Sequence, residues 1–245
     1  MQNQTYNPKI SVIIPVLNEA ANIADAIASI QLSTNVEVIV VDGGSNDNTV
    51  DIAKSLSVKV LTSASGRACQ MNAGAAIACG EILLFLHADT RLPSYFDALV
   101  RATLCTGVVA GGFRLEIAGD AWGLRLVEWG VGVRSRFFQF PYGDQAIFLR
   151  KQVFEQVGGF PELPIMEDFE LIRRLRGIGR IQIVSTPILT SARRWLQKGI
   201  FQTTLINQIV IIAYLLGVSP ANIMQFYRSG KFRKSSGYSR FHEIS

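Results

Sequence analysis

Four times within the first 104 residues, a short, mostly apolar run is followed by a segment with helical spacing. The runs are residues 10–16, 36–41, 58–61 and 81–86; the helical segments are 20–30, 48–56, 68–78 and 94–104, the last opening on Ser94 as a cap. Such runs leave few polar alternate positions, so both faces of each strand must be covered. A strand–helix repeat of this kind predicts an α/β chain with a mostly parallel central sheet and helices on both faces. After Gly107 the rhythm changes. A strand is expected over 108–117, a helix with Trp122 and Trp129 over 121–133, and a short strand over 146–150. An acidic turn then leads into a basic helix over 165–177, and two short strands, 181–185 and 188–191, flank Pro187. Two helices split at 217–220 and a polar, mobile end over 235–245 close the chain. With no internal repeat or flexible linker, one domain over 1–195 and a helical C-terminal appendage over 196–245 with a basic tail are expected.

A chain that is 49% hydrophobic and 18% charged is not intrinsically disordered. Its net charge of +5 is unevenly placed: from Ser191 onward eight basic residues stand against one acid, Glu243, giving that segment +7 and the first 190 residues −2. A basic end on a nearly neutral body predicts an anionic contact, a solvated helix being the plainer alternative. The basic residues are not interleaved with an aromatic-studded sheet motif, which argues against nucleic acid. Cys69, Cys79 and Cys105 form no CxxC and have no histidine at ligand spacing, so buried free thiols in a reducing compartment are expected. No secretory signal is read at the start, where Pro15 interrupts the first apolar run. The apolar stretch 209–218 would be roughly 15 Å long as a helix against a hydrocarbon core of roughly 30 Å. It cannot span a bilayer unaided. A cytoplasmic protein held peripherally at the inner face of the cell membrane is the expectation, with 200–218 against lipid, the body or another subunit.

In an open parallel sheet, ligands bind beyond the carboxyl ends of the strands. Here those ends are polar: Pro15, Val16, Asn18 and Glu19 after the first, Asp42, Gly44, Ser45 and Asp47 after the second, His87, Ala88 and Asp89 after the fourth. Arg67 opens the third helix, with Asn72 further along it. Each motif alone could be a helix cap or a turn. Four strand ends decorated alike point to one site. The chain has no GxGxxG after its first strand, no GxxxxGK[ST], and only two histidines, His87 and His242. Dinucleotide binding, a P-loop and Ser/His/Asp acyl transfer are therefore disfavoured. A carboxylate-rich rim with one basic residue suits a hard divalent ion and a phosphate-bearing ligand.

The ordered strings 12–19 (VIIPVLNE), 41–45 (VDGGS), Gly66-Arg67, 85–89 (FLHAD), Gly143-Asp144-Gln145 and Glu167-Asp168 resemble the successive signatures of inverting, GT-A-fold, family-two glycosyltransferases. Within that family the His-Ala-Asp form, the string Ser191-Ala192-Arg193-Arg194-Trp195 and the helical tail resemble the radical-SAM/selenodomain-associated transferases, a subgroup linked by similarity with carotenoid glucosylation or arsenosugar pathways. The resemblance implies a nucleotide-sugar donor held by Pro15, Val16, Asn18, Glu19, Asp42, Gly44, Ser45, Arg67, Asn72, His87 and Ala88. It implies Mg²⁺ or Mn²⁺ on Asp89 and Asp168 as general base. A small or lipid-linked acceptor would meet Gly143, Asp144, Gln145, Glu167, Arg194 and Trp195. His87 replaces the first acid of the family's metal motif, and Gly43 replaces the second acid of its Asp-Asp-Gly-Ser. A UDP-sugar is the expected donor. The alternative is a non-catalytic nucleotide-sugar binding or scaffolding subunit; a nucleotidyltransferase lacks its glycine-rich loop here.

Overall fold

The computed structural model describes residues 7–105 and 107–229. Strands β1 (Ile10–Val16), β2 (Val36–Asp42), β3 (Lys59–Thr62) and β4 (Ile82–Phe85) are linked by helices α1 (Ile23–Ala28), α2 (Thr49–Ser55) and α3 (Arg67–Ile77). Strand β5 (Thr90–Arg91), helix α4 (Phe96–Leu104), strand β6 (Ala110–Ile117) and helix α5 (Trp122–Phe137) follow. A 3₁₀ turn (Gly143–Gln145), β7 (Phe148–Arg150), α6 (Lys151–Gln156) and α7 (Glu167–Ile178) lead to β8 (Ile181–Thr190). Helices α8 (Arg193–Lys198), α9 (Ile200–Leu215) and α10 (Pro220–Ser229) end the described chain. The polar end expected to be mobile lies outside the described residues.

The sheet runs β3-β2-β1-β4-β7-β6-β8-β5. Its first four strands are parallel, as the apolar runs require, and β7 then enters antiparallel to both β4 and β6. Alternation along β1 fills both faces. Ile13 packs with α3, α7, α9 and α10 residues such as Met71, Leu171, Val210 and Ile223. Ile10, Val12, Ile14 and Val16 pack with Ile23, Phe96 and Val100 from α1 and α4. The tail helices thus contribute directly to the core of one face.

Several local expectations are corrected. The two strands predicted around Pro187 are one, β8, whose register against β6 shifts between Phe113 and Arg114 to admit the proline. Ser94 does not cap α4; Tyr95 takes that position in the left-handed region without a side-chain cap bond. Asp89 precedes the short strand β5, paired to β8, rather than a helix. The cysteines are free, but Cys79 and Cys105 are exposed and Cys69 half-buried. The first two sit just beyond α3 and α4, where the chain returns to the surface.

Gly111 marks where β6 and β7 approach closely, since a Cβ there would lie 2.3 Å from Phe148 Cζ. Phe148 is fully buried and cannot retreat. Gly111→Ala is therefore expected to lower stability by about 1–3 kcal/mol, read as a lower urea midpoint; an unchanged midpoint would show that the ring has room.

Candidate active site

The loops after β1 and β2 are tied to each other. Asp42 is buried, and its carboxylate accepts the N–H groups of Gly44 (3.1 Å) and Ser45 (3.1 Å), fixing the turn that begins at Gly43. Ser45 Oγ in turn accepts the Asn18 N–H at 2.9 Å, and Asn18 Oδ1 accepts the Asn46 N–H at 2.8 Å. Asn18 holds a left-handed conformation (φ 57°), one that asparagine tolerates better than most residues. The Glu19 N–H donates to Thr49 Oγ1 at 2.8 Å, leaving its carboxylate to accept Arg193 Nη2 at 3.1 Å. These bonds place Asn18, Glu19, Asp42, Gly44 and Ser45 on one rim.

The second half of the site is built around Gly143. Its N–H donates to Asp168 Oδ2 at 2.8 Å, and a Cβ added there would stand 3.0 Å from His87 Nε2 and 3.3 Å from Asp168 Oδ2. Glycine is thus required where the β4 loop, the 3₁₀ turn and α7 converge. The Phe169 N–H donates to Asp168 Oδ1 at 2.7 Å, so backbone donors hold both carboxylate oxygens. Met166, left-handed at φ 73°, turns the chain sharply into Glu167-Asp168, the kind of strained residue that clusters at functional sites. Arg67 Nε lies 3.6 Å from Glu167 Oε1, linking the start of α3 to the start of α7.

A cavity of about 910 Å³ opens beside Asp168 and Arg67; Asn18, Glu19, Asp42, Gly44 and Ser45 are not among the residues that line it. Arg67, His87, Asp89, Asp144, Glu167 and Asp168 line its polar end. Trp195 lines it too while packing against Leu115, Ile117 and Leu124, so it serves the wall and the core at once. Away from the acids the cavity continues between α5 and α9.

Other expected site residues are placed differently. Both ends of the Asn72 amide are committed to Phe160, donating to its carbonyl at 2.8 Å and accepting its N–H at 3.0 Å. It anchors the loop before α7 and is not a donor contact. Gln145 is fully buried, donating to the Phe113 carbonyl and accepting from Arg134 and the Tyr142 N–H, so it shapes the turn and does not reach an acceptor. The side chains of Val16 and Ala88 lie in the core, leaving only backbone to offer a donor; Pro15 is buried in β1. The side chain of Arg194 lies outside the described residues.

Two residues escaped the sequence reading. Gln70 Nε2 donates to the carbonyls of Val16 and Val41, each at 2.8 Å, clamping the ends of β1 and β2. It lies 3.0 Å from where a Cβ on Gly43 would stand, which explains the glycine at that position. Arg193 pairs with Glu19 across the rim.

The acids feel one another. Burial, then the charge of Glu19, holds Asp89 above the usual carboxylate range, with Arg193 partly offsetting them. Burial, then Asp168, raises Glu167, with Arg67 opposing. A carboxyl raised in the folded state binds its proton more tightly folded than unfolded. Its contribution favours the fold in acid and is lost as pH rises from the ordinary carboxylate range through the raised value. Glu167→Gln removes that loss, so above neutral pH its melting temperature is expected to exceed the parent's by about 2–4 °C, the effect of about 1 kcal/mol in a chain this size. A lower value would mean that the Arg67 pair outweighs the burial.

Among the described residues no cluster of three or more His, Cys, Asp or Glu side chains is placed to enclose a metal by itself. A divalent cation beside Asp89 would favour its ionised form against that burial and the Glu19 charge. Oxygens from a diphosphate would have to complete the coordination.

A model described as Glycosyl transferase family 2 matches residues 11–156. A mycobacterial relative, the PGL/p-HBAD biosynthesis glycosyltransferase of Mycobacterium tuberculosis, is 32% identical over 62% of this chain and 63% of its own length. The probable glycosyltransferase YdaM of Bacillus subtilis is 27% identical over 73% of this chain. This chain spans only about half of the Bacillus protein, 49% of its length. Two solved structures share the architecture. The mannosyltransferase PcManGT of Pyrobaculum calidifontis, in complex with GDP-Man and Mn²⁺, superposes with a TM-score of 0.67 at 19% identity, covering 94% of this chain and 67% of its own. S. aureus TarS 1–349 with UDP gives 0.62 at 20% identity, covering 75% of this chain and 60% of its own.

Proposed function

The chain belongs to glycosyl transferase family 2 and is a glycosyltransferase of GT-A fold, and from that premise we propose that it is an inverting enzyme moving a sugar from a UDP-sugar, with Mg²⁺ or Mn²⁺, to a hydroxyl of a small or lipid-linked acceptor. The observation that carries the reading is that Asp89 and Asp168, distant in sequence, line one cavity with Arg67 and His87.

The β1 and β2 loops, fixed by Asp42 and Asn18, hold the nucleoside at one end of the site. Arg67 stands at the cavity wall to meet diphosphate oxygens, and the negative charge that builds there as the sugar leaves is what a fixed guanidinium stabilises. Asp89 would hold a divalent ion, which when bound would supply further neutralisation of that leaving group. On the opposite side Asp168 takes the proton of the acceptor hydroxyl as it attacks. The backbone donors from Gly143 and Phe169 keep its carboxylate aimed while that happens. Bonds from Asp42 and Asn18 fix the first two loops beforehand, so little reorganisation is needed when donor binds.

Glu167 fits a supporting part, orienting Arg67, and Trp195 fits an acceptor wall. PcManGT and the TarS fragment carry GDP-Man with Mn²⁺ and UDP in their structures, which supports a nucleotide-sugar donor and a divalent ion here. The acceptor class follows from the apolar continuation of the cavity, a carotenoid-like or other hydroxylated lipid being the kind of molecule it suits, at the inner face of the cell membrane.

A thermal-shift series with UDP-, GDP- and dTDP-sugars, each with and without Mn²⁺, tests the donor assignment, because a ligand that binds the folded chain stabilises it as RT ln(1 + [L]/Kd). UDP-sugars with Mn²⁺ are expected to give the largest rise. No rise with any nucleotide sugar would sink the reading.

A further inference from the structure

Helix α9 carries no charged residue along its whole length. Its polar residues are the uncharged Gln202, Thr203, Thr204, Asn207 and Gln208, yet Phe201, at 67% exposure, and Leu205, at 61%, stand open, as do Ile212 and Leu215. Beside it α5 presents Trp122 and Trp129, 71% and 69% exposed. The two helices meet through apolar side chains at their N-terminal ends. Gly123 lets α5 come close to Ile200, since a Cβ there would be 3.2 Å from Ile200 Cδ1, and the Trp122 and Phe201 rings make an edge-on pair at 6.0 Å. The outcome is a largely apolar face crossing two helices, rimmed by tryptophan, with Arg125, Gln202 and Gln208 as the exposed polar side chains on it. Patches of this kind mark interaction sites.

The charge pattern says which partner. From Leu171 to His242 the sequence contains no aspartate or glutamate, while arginine and lysine recur through it, with Lys198 just before α9 and Arg228, Lys231, Arg233 and Lys234 at and beyond the end of α10. Among the described residues α5 carries Arg125, Arg134 and Arg136 against one acid, Glu128, and α9 carries no acid, so two copies meeting through this face would set like charges together. An anionic bilayer complements it instead. Tryptophan at the rim suits the boundary between headgroups and acyl chains, and no helix among the described residues is long and apolar enough to cross a membrane, so the face would lie on the surface.

The cavity gives this face a purpose. Leu126 of α5 and Phe201 of α9 belong both to the exposed face and to the cavity wall, and the same void reaches Asp89 and Asp168. We propose that α5 and α9 dock on an anionic bilayer surface and that the cavity between them is the entrance through which the apolar body of a hydroxylated amphiphile passes from the bilayer toward Asp168. The entrance rests on the glycosyltransferase reading above; the docking face stands without it.

The full chain is mixed with phosphatidylcholine vesicles with and without phosphatidylglycerol, and floated. Binding is expected with the anionic vesicles, weak with the neutral ones, and reduced about tenfold or more in Trp122→Ser/Trp129→Ser/Leu205→Ser. Affinity for UDP with Mn²⁺ should not change in that variant, which also shows that it is folded. Equal binding to both vesicles, or no loss in the variant, overturns the proposal. So does a lipid-free dimer that the same substitutions dissolve, since the face would then belong to a second copy. For the entrance, Trp122→Phe/Trp129→Phe leaves Trp195 as the sole tryptophan, inside the cavity. A nitroxide-labelled long-chain alcohol in anionic vesicles is expected to quench it, and absence of quenching overturns the entrance. Neither readout needs turnover. If Asp168→Asn keeps full transfer while docking and quenching hold, the catalytic reading alone has failed.

Discussion

Asp168→Asn is expected to lower sugar transfer by about 10²–10⁴-fold, the usual consequence of removing a general base, while affinity for UDP with Mn²⁺ stays near that of the parent. The exchange changes little volume, and the helix carrying the residue is anchored by Phe169, Leu171, Ile172 and Leu175 in the core, so folding should survive. What is lost is specific. Two backbone N–H groups, from Gly143 at 2.8 Å and Phe169 at 2.7 Å, now meet two acceptor oxygens. An amide offers one oxygen, so its NH₂ must face one of those donors or rotate away, and it cannot take a proton from an attacking hydroxyl at neutral pH. Steady-state transfer and nucleotide binding, measured on the same preparation, separate the chemical defect from a binding defect. A variant that transfers at the parent's rate would remove Asp168 from the mechanism. Glu167→Gln should show a smaller loss, because Glu167 faces Arg67 and lacks the Gly143 contact.

Much of this arrangement was legible before any coordinates. The four apolar runs read as strands of one sheet, although β3, at its edge, stays partly exposed, and the residues after them could only lie along one edge of the sheet, so Asp42 and Asp89 follow from pattern alone. Asp168 came from a motif, and it lines the same cavity as Asp89. The amides were not legible. Asn72 and Gln145 sit among site residues in sequence, but an amide serves a ligand and a stray backbone group equally well, and only the fold shows that Phe160 and Phe113 had claimed them. Gln70 and Arg193 were missed for the complementary reason: their partners lie 54 and 174 residues away along the chain, beyond any local period. Helices α6 and α8 have six residues each, too few for hydrophobic periodicity to declare itself. The cysteines were misplaced because apolar neighbours in sequence say nothing about where a helix ends.

Asp89→Ala tests the other half of the chemistry. Transfer is expected to fall about 10²-fold or more, comparable to deleting one preorganised electrostatic group, and UDP affinity should lose its response to Mn²⁺. The argument starts from an imbalance. Asp89 is largely withdrawn from water with Glu19 close enough to raise its pKa, and Arg193, which opposes that effect, is already bonded to Glu19. A carboxylate kept in that state is costly in the empty site and favourable once a dication arrives. In metal-free buffer the variant should therefore be at least as stable as the parent at neutral pH, and the order should reverse when UDP and Mn²⁺ are added, because only the parent gains their binding energy. By the family resemblance His87 replaces the other acid of the metal motif, so an ion bound here would depend on Asp89 and the diphosphate together. Melting temperatures of both proteins in EDTA, in Mn²⁺ alone and in Mn²⁺ with UDP distinguish the cases. If the parent's UDP affinity ignores EDTA, the chain binds nucleotide sugars without a metal, and the non-catalytic alternative gains what the metal-assisted mechanism loses.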